Sequence, residues 1–173
     1  MLRQRKSKRE RRESRDQALA RYIKQKNRNL LAQPGPHDFI IVLDHMKAGF
    51  NVAKIFRSAE AFGAHEIHLV NIGPFDPSPA KGSFKKVPAR FFERFEESHA
   101  ELKRRGYQLI TLDAGCGDSL IDTPLPQKCA FILGQRRSLA TASSLRSTRI
   151  SAASRSPSSV RWRASTWRWP PRW

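Results

Sequence analysis

Asn51, Arg57 and Glu60 fall within one ten-residue window, and their types suit the handling of charge. A guanidinium does not readily lose its proton, so Arg57 offers a fixed positive charge and forked donors. Asn51 opens a helical pattern, where an asparagine commonly caps the helix N-terminus for about 1 kcal/mol. Arg57 is rotated about 240° from Asn51 around such a helix. The two therefore share no narrow stripe, and converge only if the preceding loop folds back. Glu60 lies three residues beyond Arg57, the spacing of a helix-surface ion pair. Such pairs contribute little, and spacing alone favours that plain reading.

The elements that must position these residues are legible in the hydrophobic pattern. Residues 7–31 lack Gly and Pro and read as a basic helix that stops before Pro34-Gly35-Pro36. Residues 39–43 form a continuous apolar run of strand length, as expected of a strand buried on both faces. Residues 51–62 carry Val52, Ile55, Phe56 and Ala59 at helical spacing, and Gly63 supplies the stop. A strand follows at 67–70, an amphipathic helix is predicted over 91–105, and two more strands over 107–112 and 129–133. Strands alternating with helices predict an α/β fold, a parallel sheet flanked by helices.

In such sheets ligands sit beyond the carboxyl ends of the strands. Three of those ends are rich in polar and small residues: Asp44-His45 up to Asn51, residues 111–117, and Gly134-Gln135. No GxGxxG follows the first strand, which argues against a dinucleotide fold, and Ala114-Gly115-Cys116-Gly117 alone is weak evidence for a site. His45 and His68 read as loop and strand residues rather than bases or ligands.

Charge divides the chain in three. Residues 1–33 carry a net +9, residues 34–135 are neutral, and residues 136–173 carry nine Arg and no acid, for the reported total of +18. The expected organisation is a basic N-terminal arm over 1–35, helical or disordered, an α/β domain over 36–135, and an Arg/Ser/Trp-rich tail over 136–173. A basic arm suits a polyanion such as RNA, since lysines and arginines release counterions from phosphates; Arg9 and Arg12 are its candidates. Lys81, Lys85 and Lys86, grouped around Phe84, read as a second RNA-contacting loop or as a solvated turn. Two cysteines, Cys116 and Cys129, form no metal or redox pattern and fit a reducing cytoplasm. No metal, membrane span or secretory signal is expected.

The segment Asn51-Val-Ala-Lys-Ile-Phe-Arg57-Ser-Ala-Glu60-Ala-Phe-Gly63-Ala64 resembles the first motif of the SpoU, or TrmH-like, RNA ribose 2′-O-methyltransferases of the SPOUT superfamily. Residues 131–135, Phe-Ile-Leu-Gly-Gln, resemble the start of that family's second motif, and the likeness covers about residues 38–135. The resemblance implies the α/β trefoil-knot fold, S-adenosylmethionine as cofactor, and tRNA or rRNA as partner. It assigns Arg57 to the catalytic site, with Asn51 and Glu60 beside it. Arg57 would grip a phosphate next to the target ribose and stabilise the developing alkoxide. Thr111, Leu112 and Ala114 would contact the adenosine, and Gly134 would allow close approach of the cofactor. An intact member is expected to be a homodimer that uses its knot region.

After Gln135 the likeness stops. The second motif continues with Glu and the third contains Ser-Leu-Asn; this chain has Arg136-Arg137 and a tail with all four tryptophans. Codons allowed for residues 154–173 can be chosen so that the frame one base earlier reads SIPQFGSVESLNVAVAASV, which resembles the third motif. The expectation is a one-base loss near the Gln135 codon. The tail is then disordered, the knot-forming part and its dimer contact are lost, apolar sheet surface is exposed, folding is poor, and the chain is inactive as written. The alternative is a non-enzymatic basic RNA-binding protein whose tail binds by charge and stacking.

Overall fold

The computed structural model describes residues 8–113, 123–134 and 148–151, with side chains over 12–111 and 123–134. The elements follow the order α1 (Lys8–Asn29), β1 (His37–Asp44), α2 (Phe50–Ala61), β2 (Ala64–Val70), β3 (Ala89–Phe92), α3 (Phe95–Arg104), β4 (Gln108–Asp113), β5 (Cys129–Gly134) and β6 (Thr148–Ser151). Between β2 and β3 the chain makes two short 3-10 turns, Ser78–Ala80 and Ser83–Lys85. All strand pairs are parallel, in the order β3-β2-β1-β5-β4-β6.

β1 lies in the interior of this sheet, and its sequence shows why. Ile40 and Val42 face one side and pack with Phe95, Leu102 and Ile132. Leu43 faces the other and packs with Val52, Phe56 and Ile67, while Phe39 and Ile41 lie partly buried against that same group. A strand covered on both faces must be apolar at nearly every position. The apolar side of α2, Val52, Ala53, Phe56 and Ala59, is wholly buried against this second face. Burying one phenylalanine such as Phe56 stabilises the fold by about 1.5–3 kcal/mol. Gly63, at φ +65°, ends the helix in the left-handed conformation that glycine adopts without strain.

α1 docks on this same face rather than standing apart. Tyr22, 5 % exposed, belongs to the α2 core; its ring stacks on Phe84 at 5.7 Å and meets Phe75 edge-on at 5.3 Å. The buried Asn29 amide donates to the carbonyls of Phe84 (2.5 Å) and Val87 (2.6 Å), and its oxygen accepts from the Ala89 amide at 2.9 Å. The arm is thus fastened at its C-terminal end to the loop that precedes β3.

One predicted element is corrected. The helix predicted over 91–105 is a strand followed by a shorter helix, because Phe91 and Phe92 join the sheet beside Leu69 and Val70 of β2. Arg94 is extended, and α3 starts only at Phe95. The apolar residues at 91, 92 and 95 fit helical spacing, and sheet pairing overrode it. The expected disordered tail includes β6, whose four residues pair with β4 from Ile110 to Asp113. The remainder of the tail, and with it the expected loss of the knot, lies outside the described residues.

Candidate functional site at the strand ends

Successive strands leave β1 in opposite directions: β2 and β3 on one side, β5 and β4 on the other. The crevice at the carboxyl ends of β1 and β5 is therefore the topological switch point, where open α/β sheets hold ligands. Asp44 closes β1 there, in register with Val70 of β2 and Gly134 of β5. It is 2 % exposed and accepts a hydrogen bond from His45 Nδ1 at 2.6 Å. The backbone turns away at once: His45 has φ 48° and donates its amide to the Val70 carbonyl at 3.0 Å. Asn71 leaves β2 in the same left-handed way, at φ 49°. Gly134 fits because a Cβ there would stand 2.8 Å from the Asp44 carbonyl oxygen.

The loop after His45 delivers the chain to α2. Gly49 occupies the N-cap with an extended backbone and no side-chain cap, so Asn51 is not the predicted cap residue. Asn51 is the second helical residue, and its side chain is exposed. Arg57 is exposed too, and its side chain makes no hydrogen bond or ion pair among the described residues.

The Arg57–Glu60 surface pair that spacing alone favours does not form. Glu60 turns toward the Ser83–Lys85 turn, accepting from the Ser83 hydroxyl and from Lys86 Nζ at 2.5 Å. The hydrogen bonds from Lys86 and Ser83 hold its carboxyl below the usual range, against a smaller opposing effect of burial. Glu60 lies about 60° around the helix from Arg57, which suffices to aim one at a neighbouring loop and the other at solvent.

The other candidates divide in the same way. Lys86 is occupied by Glu60, whereas Lys81, in a left-handed conformation at φ 51°, and Lys85 are exposed. Arg12 is exposed on α1; Arg9 lies on the same helix, its side chain outside the described residues. Thr111 is buried in β4, 2 % exposed. Leu112 pairs with Ile150 of β6 through its backbone, and Ala114 lies outside the described residues. Sequence reasoning marked Asp44-His45 as a polar strand end and read His45 as a loop residue, but did not foresee the hydrogen bond between the two. Its signal was a polar doublet directly after an unbroken apolar strand.

Two further features lie away from this crevice. His68, fully buried, joins Ser98 Oγ at 2.7 Å through Nδ1 and Glu66 Oε1 at 2.9 Å through Nε2, and Arg105 donates to the same Glu66 oxygen. Burial acts to raise the Glu66 pKa, but the hydrogen bonds and charges of His68 and Arg105 outweigh it and hold it at about 2. At the opposite end of the sheet, Phe39, Phe62, Leu125 and Phe131 line an apolar groove of about 680 Å³. Among the described residues no cluster of three or more potential ligands could hold a metal, and no helix is long and apolar enough to cross a membrane.

The strand order defines a parallel α/β protein with polar residues at its switch point, and comparison with known proteins narrows the class. Residues 38–140 match the model of the SpoU rRNA methylase family. The chain belongs to that family. Solved structures share the fold. The SpoU methyltransferase AviRb from Streptomyces viridochromogenes, in complex with the cofactor AdoMet, has a TM-score of 0.60 and 23 % identity over 76 % of this chain and 55 % of its own. The TrmH/SpoU tRNA-modifying enzyme of A. aeolicus has a TM-score of 0.57 and 15 % identity over 76 % of this chain and 71 % of its own. An RNA 2′-O ribose methyltransferase gives 0.58 and 17 % over 70 % and 49 %. The chain thus spans little more than half the length of AviRb. No curated protein matches it in sequence.

Proposed function

We propose that this chain carries the first-motif part of an RNA ribose 2′-O-methyltransferase that uses S-adenosylmethionine and acts on rRNA or tRNA. The observation that carries the reading is the state of Arg57. It projects from α2 unpaired among the described residues, because Glu60 is engaged by Ser83 and Lys86. An exposed guanidinium left without a carboxylate suits the phosphate beside a target ribose.

In this reading Arg57 grips that phosphate and stabilises the alkoxide that forms as the hydroxyl reacts. Asn51, exposed six residues earlier, helps to hold the ribose, and Glu60 acts by fixing the adjoining turn. Lys81, Lys85, Arg12 and Arg9 supply positive charge for RNA. The glycine at 134 is required by the Asp44 carbonyl oxygen, 2.8 Å from where a Cβ would stand, and does not by itself make room for the cofactor. Thr111, Leu112, Ala114 and Gly134 would hold the cofactor, which supplies an electrophilic methyl group when bound. The protein's own task is alignment of the hydroxyl.

We carry forward the frame hypothesis with it: as written the chain lacks the third motif and transfers no methyl group, and a chain with its frame restored after Gln135 does. Methyl transfer to RNA by both chains, with Arg57→Ala in each, tests this. Arg57-dependent 2′-O-methylation by the restored chain supports the reading. Tight RNA binding without transfer by either chain favours a non-enzymatic RNA-binding protein.

A further inference from the structure

The outward side of α2 carries more than Arg57. Around the helix, Lys54 stands about 40° from Phe50 on one side and Arg57 about 20° from it on the other. The three therefore form one stripe, about 10.5 Å long at the rise of a helix, and all three are exposed. The stripe holds no acid, because Glu60, the one acid of α2, is bonded to Ser83 and Lys86. Lys54 Nζ lies 4.3 Å from the centroid of the Phe50 ring, yet Phe50 remains 59 % exposed, so the ammonium covers only part of it.

The exposed phenylalanine at the far end of α2 shows the contrast. Phe62 is 71 % exposed, but it lines the apolar groove with Phe39, Leu125 and Phe131, surroundings that suit packing against another apolar surface. Phe50 has an ammonium and a guanidinium for neighbours instead. It also stands at the end of α2 that follows the carboxyl end of β1, on the side of the sheet where such folds hold ligands. Single exposed apolar side chains are common on protein surfaces, and what sets Phe50 apart is its place on a cationic stripe. A ring beside positive charge is a means of holding single-stranded nucleic acid: the ring stacks on a base and the cations take the phosphates.

We infer that Phe50 is a base-stacking residue: an unstacked nucleotide of single-stranded RNA lies along α2, with its base on the Phe50 ring and its flanking phosphates on Lys54 and Arg57. The inference deepens the methyltransferase reading above and rests on it. A base held on Phe50 fixes its own ribose relative to Arg57. A duplex, whose bases stack on one another, cannot make that contact, so the stripe selects looped or single-stranded RNA.

The test uses the full chain and three oligoribonucleotides: a single strand, the same strand in a duplex, and a strand of the same length with abasic riboses. Phe50→Ala should weaken binding of the single strand roughly five- to 150-fold, with the salt slope unchanged. Binding of the duplex and the abasic strand, which rests on phosphates, should stay within about twofold. Phe50→Leu should fail as Phe50→Ala does, because it keeps apolar bulk without a ring face, and Phe50→Trp should retain the affinity. Lys54→Ala should lower the salt slope by about 1. Equal losses on the single strand and the abasic strand, or full affinity in Phe50→Leu, would overturn the assignment. So would unchanged RNA affinity in Phe50→Ala together with a lower sedimentation coefficient, the signature of a contact with a second copy of the chain. Binding that does not depend on Phe50 sinks this inference alone. If the unmodified chain binds none of the three, the RNA reading fails and this inference fails with it.

Discussion

The Glu60 carboxylate lies 2.5 Å from Lys86 Nζ, across the gap between α2 and the loop before β3, and not against Arg57 on its own helix. That contact does two things at once. It removes the carboxylate that would neutralise Arg57, and it sets the turn carrying Lys81 and Lys85 beside the same helix. The loop is gripped from its other side by Asn29 and Tyr22 of α1. The basic arm and α2 are therefore coupled through one short loop.

Arg57→Ala should abolish methyl transfer in a frame-restored chain. Its effect on stability should stay within about 0.5 kcal/mol, because an exposed side chain away from caps and buried networks contributes little. Chemical denaturation beside a transfer assay checks both. A large loss of stability would show that Arg57 is structural.

Lys81→Ala and Lys85→Ala should weaken RNA binding uniformly across sequences. Each should lower the slope of log affinity against log salt by about 1. Lys86→Ala should instead release Glu60 and place a free carboxylate near Arg57, lowering transfer as well as binding. Salt titrations of the three variants separate the two kinds of lysine.

Asn29→Ala should cost about 3 kcal/mol, since it strands the buried carbonyls of Phe84 and Val87 and the amide of Ala89. Asn29→Asp should be worse, because it sets a carboxylate oxygen against those two carbonyls. Hydrogen exchange should show the amides of α1 losing protection before those of β1. Uniform loss across the sheet would contradict the picture of a docked arm.

Glu66 sets an acid limit on stability. Its carboxyl is held at about 2 against an ordinary value of 4.5. A depressed folded-state pKa gives stability that is complete above the unfolded value and is lost as pH falls through the folded one. The loss should therefore run from about pH 4.5 down to about 2, and it corresponds to about 3 kcal/mol for this nearly buried group. Glu66→Gln should flatten that part of the stability profile while destabilising the chain at neutral pH. An unchanged acid profile in the variant would show that the group is not coupled to folding.

Legibility in the sequence followed the length scale of each interaction. β1, α2 and β5 were readable because burial on one or both faces writes itself into local periodicity, as in residues 39–43 and in Val52, Phe56 and Ala59. β3 was not, because Phe91 and Phe92 become a strand only by pairing with β2, and helical spacing at 91, 92 and 95 masks it. Arg57 stood out through its motif. The partner of Glu60 did not, since Ser83 and Lys86 are 23 and 26 residues away and no pattern rule joins them. The Asp44–His45 pair was visible as letters, but its meaning depended on Asp44 being buried and His45 turning outward.

The central claim is tested most directly by incubating RNA with S-adenosylmethionine labelled in its methyl group, using the chain as written and the chain with its frame restored after Gln135, and then digesting the RNA to nucleosides. The account predicts label in 2′-O-methylated nucleosides from the restored chain alone, and none once Arg57 is replaced by Ala. Label on a base, label that survives Arg57→Ala, or transfer by the chain as written would contradict it.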